Sequence, residues 1–120
     1  AGIPGLPLQV AMPGCVWTLV EPRRRRAAFL REAIDRLGLP SHVVADRVER
    51  VSDTFDLAVS RAWKAPTAWF EIGARLVREE GWVAGWASGP AQGLDEHAYR
   101  LPDGTTGSLM LRQVNVPRET

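Results

Sequence analysis

Apolar positions along this chain recur with two periods. In residues 23–37 the apolar side chains are Ala27, Leu30, Ala33, Ile34 and Leu37. They fall at three- and four-residue steps, which is one face of a helix. Pro22 stands where that helix starts, Gly38 is a good stop and Pro40 confirms it. Residues 66–78 return to helical spacing through Trp69, Phe70, Ile72, Leu76 and Val77, with Pro66 suited to the first turn. A short apolar stretch over residues 6–12 predicts two or three further helical turns, ended by Pro13-Gly14.

The other pattern is compact and β-rich. Residues 15–20 (Cys-Val-Trp-Thr-Leu-Val) read as a buried strand between Pro-Gly and Glu-Pro. Residues 42–45 predict a second strand, and residues 55–60 (Phe-Asp-Leu-Ala-Val-Ser) a third, stronger one. Residues 82–86 predict a fourth after the Glu80-Gly81 turn. Residues 99–101 and 109–114 read as a closing pair around Pro102-Asp103-Gly104. Strand–helix alternation followed by a hairpin predicts an α/β fold with a mainly parallel sheet. No repeat, low-complexity tract or long linker divides the chain, so one domain is expected over residues 1–120.

Composition narrows this picture without redirecting it. Of 120 residues, 45% are hydrophobic and 24% charged, which is ordinary globular usage. No apolar run reaches the roughly 20 residues that a membrane helix needs. The opening Ala-Gly-Ile-Pro-Gly has no basic n-region, which predicts no signal peptide, and a first residue other than Met suggests a fragment or processed chain. The single Cys15 offers no internal disulfide, so a reduced cytoplasmic setting and a buried small residue are expected. A net charge of +1 does not by itself demand a nucleic-acid partner.

The chemistry starts at Ala1-Gly2-Ile3-Pro4-Gly5. A glycine-rich turn before a helix lets backbone approach a cofactor closely, although such turns are common. Sixteen residues after Gly5, Glu21 closes the first predicted strand. An acid there accepts hydrogen bonds from ribose hydroxyls, or else simply complements a helix dipole. Loop and acid at this spacing together favour a nucleoside-binding site.

Several blocks carry a family resemblance. Ala-Gly-Ile-Pro-Gly-Leu-Pro-Leu, then Trp-Thr-Leu-Val-Glu, then Arg25-Arg26-Ala27-Ala28-Phe29-Leu30-Arg31-Glu32 resemble the bacterial 16S rRNA guanine-N7 methyltransferase family, also called the glucose-inhibited division protein B family. Asp46-Arg47-Val48-Glu49 is similar to its Arg-Val/Ala-Glu motif, and Phe55-Asp56-Leu57-Ala58-Val59-Ser60-Arg61-Ala62 to its Phe-Asp-…-Ser/Thr-Arg-Ala motif. Order and spacing agree over residues 1–90. The resemblance implies a Rossmann-like class I methyltransferase fold, S-adenosylmethionine as cofactor, and 16S ribosomal RNA or the small ribosomal subunit as partner. It implies that Gly2, Ile3 and Gly5 line the cofactor, Glu21 holds the ribose, and Val48 and Glu49 sit at the adenine, partly through backbone groups. It places Arg61 beside cofactor and target base, and Arg47 towards RNA. For Arg47 and Glu49 the plainer reading is a surface ion pair, and for Arg61 a charge at a strand end.

Guanine N7 carries a free lone pair, and the sulfonium methyl is already activated. Such a transfer needs mainly alignment, so no essential His, Cys or metal is expected. His42 and His97 are isolated and lack metal-ligand spacing. Arg23-Arg24-Arg25-Arg26 reads either as an RNA-phosphate patch or as a solvated helix start. Trp63 is placed to stack on a base, whereas the five Trp as a set suit packing.

The chain departs from the family pattern in three places. Ala87 falls where the family has Lys, and Thr105-Thr106-Gly107-Ser108 where it has an Arg, with none before Arg112. The family's N-terminal helical segment, its first strand and most of its glycine loop have no counterpart here. That strand would lie between the strands at residues 15–20 and 55–60. Its absence predicts poor folding, self-association or direct pairing of those two strands. Two other functions stay open at this point: a non-catalytic RNA- or ribosome-binding remnant, and a small-molecule methyltransferase.

Overall fold

A computed structural model describes residues 5–61, 66–87 and 94–114. The chain forms two compact units, Ala1–Val51 and Ser52–Thr120.

The first unit contains helix α1 (Gly5–Ala11), strand β1 (Thr18–Val20), helix α2 (Arg24–Leu37), strand β2 (His42–Val44) and a 3₁₀ turn at Val48–Arg50. α2 buries Ala27, Leu30 and Ile34, the positions its periodicity singled out. Gly38 ends it in the left-handed region at φ 63°. Its N–H bonds Asp35 O at 3.2 Å and Leu39 N–H bonds Ile34 O at 3.1 Å, the paired closure that such a glycine permits. β1 and β2 are parallel, pairing Thr18 with His42 and Val20 with Val44. The ladder extends at both ends, through His42 N–H to Trp17 O and Glu21 N–H to Val44 O, each 3.0 Å.

The second unit contains strand β3 (Phe55–Arg61), helix α3 (Pro66–Leu76), and strands β4 (Val77–Ala87), β5 (Asp95–Arg100) and β6 (Thr106–Gln113). Its sheet runs β3-β4-β6-β5, with β3 and β4 parallel and the two remaining pairs antiparallel. The expected α/β order and closing antiparallel pair are therefore present. The core collects Ala58, Trp69, Phe70, Leu76, Val77, Val83, Ala84, Met110 and Val114. Trp69 anchors α3 on β4, donating from Nε1 to Ala84 O at 2.9 Å.

Three expectations need correction. The first strand starts at Thr18 rather than Cys15: Val16 is 72% exposed, and Cys15 is exposed, not buried. The residues just after Pro13-Gly14 still belong to the turn, where Cys15 N–H bonds Met12 O. Helix α3 stops at Leu76, because Val77 already pairs with Phe55 on β3. β4 then runs through the supposed Glu80-Gly81 turn as an irregularity: Phe55 faces Val77, but Leu57 faces Trp82. Glu80 adopts φ 67°, held by Glu80 N–H to Val114 O and by Gln113 Nε2–H to Glu80 O, both 2.9 Å. At Gly81 a Cβ would lie 2.8 Å from Arg78 O and 3.0 Å from Asp56 O, so only glycine fits. Of the outcomes expected without the family's first strand, direct pairing is absent: among the described residues β1 and β3 stand in separate sheets.

Candidate nucleoside site

Parallel strands direct their carboxyl ends to one edge, where ligands of α/β folds bind. In the first unit that edge carries the two motifs of interest. Glu21 follows β1 directly, and Asp46-Arg47-Val48-Glu49 follows β2. The Glu21–Val44 backbone bond ties the two strand ends together.

Glu21 is half-buried. Its Oε2 accepts the Arg23 N–H at 3.0 Å, satisfying a donor at the start of α2, where Arg23 supplies no side-chain cap. Both readings of this acid are thus compatible with one geometry. One oxygen serves the helix start, and the other accepts no hydrogen bond among the described residues.

The second motif is shaped by Asp46, whose role the sequence reading missed. Its Oδ1 accepts the Arg47 N–H at 2.7 Å and lies 3.7 Å from Arg50 Nε. Arg50 N–H to Arg47 O and Val51 N–H to Val48 O close the 3₁₀ turn. The surface ion pair considered between Arg47 and Glu49 does not form; the pair is Asp46–Arg50. Arg47 and Glu49 are exposed and Val48 half-buried. The N–H groups of Val48 and Glu49 open the turn and have no acceptor among the described residues. An Asp two residues beyond a strand was the available signal for this turn.

Gly5 begins α1, and a Cβ there would come within 2.5 Å of Leu19 Cδ2. This glycine therefore lets α1 lie directly on β1. Gln9 is another buried group that the pattern did not reveal. Its Nε2 donates to Gly5 O at 3.3 Å, and its Oε1 accepts from Ser41 Oγ. It locks α1 to the loop before β2. Trp17 Nε1 is a buried donor without an acceptor among the described residues.

Arg61 is the exposed last residue of β3 in the second unit, opposite Trp86. Ala87, in the family's Lys position, ends β4 opposite Ser108. Gly2, Ile3 and Trp63 lie outside the described residues. His42 and His97 are exposed, and among the described residues no three His, Cys, Asp or Glu side chains group as a metal site. No described helix is long and apolar enough to cross a membrane. Trp69 is buried, Trp17 and Trp86 are half-buried and Trp82 is 38% exposed, a mixture of core and rim.

Comparison with known proteins identifies the family. A family model described as rRNA small subunit methyltransferase G matches residues 1–88. A ribosomal RNA small subunit methyltransferase G of Rubrobacter xylanophilus is 35% identical, over 98% of this chain and 47% of its own length. One from Mycolicibacterium paratuberculosis is 43% identical, over 68% of this chain and 35% of its own. The chain thus spans less than half the length of these relatives. Among solved structures, an rRNA methylase from Streptococcus thermophilus superposes with a TM-score of 0.57 at 13% identity, covering 82% of this chain and 73% of that one. That likeness shows a Rossmann-like methyltransferase fold.

Proposed function

This chain belongs to the rRNA small subunit methyltransferase G family, and we propose from that premise that it provides the nucleoside-binding part of an S-adenosylmethionine-dependent methyltransferase acting on guanine N7 of 16S ribosomal RNA. The observation that carries this reading is the shared carboxyl edge of β1 and β2. It presents an uncommitted carboxylate oxygen of Glu21 beside the free N–H groups of Val48 and Glu49. That donor and acceptor set fits an adenosine.

Bound there, S-adenosylmethionine supplies a methyl group already activated on sulfur. Glu21 would accept hydrogen bonds from the ribose hydroxyls. The Val48 and Glu49 amides would hold the adenine, with the half-buried Val48 beside them. By the family resemblance, Gly2, Ile3 and Gly5 would line the cofactor, and Arg61, Arg47 and Trp63 would serve the RNA. Guanine N7 carries its own lone pair, so no group of the chain would be needed to remove a proton. Positioning is the chain's main contribution. We read the 120 residues as parts of one methyltransferase domain working in the cytoplasm on ribosomal RNA or the small subunit.

Isothermal titration with S-adenosylmethionine tests the reading, and 1:1 binding is expected. No heat at high protein concentration overturns it. A salt-dependent shift with a 16S fragment then separates RNA from small-molecule substrates.

A further inference from the structure

Helix α2 completes its core face with Ala27, Leu30 and Ile34, yet it also carries Phe29, which is 56% exposed. Among residues 25–33 Phe29 is the one large apolar side chain left in solvent. Arg25 and Arg26 lie four and three positions before it, so all three share one helix face. Helical side chains lean towards the N-terminus, which sets the Phe29 ring over the turn holding the two arginines. All four residues Arg23 to Arg26 are exposed, and none forms an ion pair among the described residues. The first turn of α2 contains no acid. Cations there oppose the helix dipole, so these arginines do not serve the helix. On the other side of Phe29, Glu32 is held by Arg36 at 2.8 Å, which leaves the face net positive.

We infer that Phe29 is a stacking platform for an unpaired base of the RNA substrate, with Arg25 and Arg26 on the flanking phosphates. The inference rests on the proposed RNA substrate but concerns side chains that the cofactor reading does not use. A planar apolar ring between two guanidinium groups matches an unstacked nucleotide: the ring meets the base and the arginines meet the phosphates. A lone aromatic among charges is too small a core for a protein partner. Paired RNA exposes no base face, so recognition is confined to loops and bulges.

The test uses the whole chain and two RNAs of equal length. One is a 16S-derived hairpin with 2-aminopurine in its loop, and the other is a perfect duplex. Phe29→Leu is expected to weaken hairpin binding about tenfold or more and to abolish 2-aminopurine quenching. Duplex binding and S-adenosylmethionine affinity stay unchanged, and Phe29→Trp restores the hairpin. Replacing Arg25 and Arg26 together by Gln weakens both RNAs and flattens the salt slope by about 1.4 to 1.8. The inference fails if Phe29→Leu binds the hairpin normally or loses hairpin and duplex alike. It also fails if Phe29→Leu converts an oligomer to a monomer in sedimentation, which would make this face an interface between copies. A parent chain that binds the cofactor but neither RNA overturns the inference together with the RNA substrate. One that binds both RNAs but ignores Phe29 overturns the inference alone.

Discussion

Replacing Glu21 by Gln separates the two jobs of its carboxylate. Oε2 accepts the Arg23 N–H at 3.0 Å, and the other oxygen is the proposed acceptor for ribose. Gln keeps one acceptor oxygen for the helix start. It presents an NH₂ donor, and no charge, to the ribose hydroxyls. A hydrogen bond to a charged group is worth about 1.5–3 kcal/mol, so S-adenosylmethionine should bind roughly 10- to 150-fold more weakly. The melting temperature should hardly move. Glu21→Ala loses the same affinity and also the helix-start bond. Loss of such a cap costs about 0.5–2 kcal/mol, with the lower half of that range expected for a half-buried acid. In a small domain that lowers Tm by about 4–8 °C per kcal/mol. Calorimetric titration and thermal melts on all three proteins check both effects. Affinity of Glu21→Gln within threefold of the parent would reduce Glu21 to a helix-start residue and refute the ribose assignment.

Further outcomes follow from the second unit. Glu80 occupies the left-handed region at φ 67°. Gly there avoids about 1–2 kcal/mol of strain and gives back about 0.4–1 through unfolded-chain freedom, so Glu80→Gly should stabilise by about 0.5–1 kcal/mol in urea melts. A loss of stability would contradict the assigned conformation. At Gly85 a Cβ would meet Trp69 Cδ1 at 2.9 Å, so Gly85→Ala should displace the indole and cost about 1–3 kcal/mol, with a shift in Trp fluorescence. The Asp103 carboxyl is held below its ordinary 3.8, first by the Thr105 backbone N–H and then by the Thr105 side chain. A depressed folded value means its contribution is present above the unfolded pKa and fades as pH falls through the folded one. The β5–β6 turn should therefore loosen only below about pH 4, and an NMR titration midpoint for Asp103 above 3.8 would contradict this.

The elements were legible where periodicity was uninterrupted. Ala27, Leu30 and Ile34 marked the buried face of α2, and Gly38 marked its end, because helix spacing and a left-handed stop are local properties. The α3–β4 junction was not legible. Val77 suits a helix face as well as a strand, and its pairing with Phe55 is a contact twenty-two residues away. Cys15 misled for a related reason: β-rich composition does not say how many residues find a ladder partner. In the candidate site, Glu21 and Val48-Glu49 were visible as motif residues. The division of the Glu21 carboxylate between a helix start and free space was not, nor was the part played by Asp46, because hydrogen-bond geometry leaves no periodic trace.

Among the described residues, the two outer strands of the second sheet have opposite characters. β5 is exposed along its length and carries Asp95, Glu96, His97 and Arg100, a charged border that discourages neighbours. β3 closes the other side with Phe55, Leu57, Ala58 and Val59, and its Asp56 is already engaged by Arg78 at 2.8 Å. Storage of concentrated protein should therefore fail from the β3 side, by strand addition and growth of thioflavin-positive fibrils. A Lys at Leu57, which is 37% exposed, would act as a gatekeeper and lengthen the lag before fibrils appear.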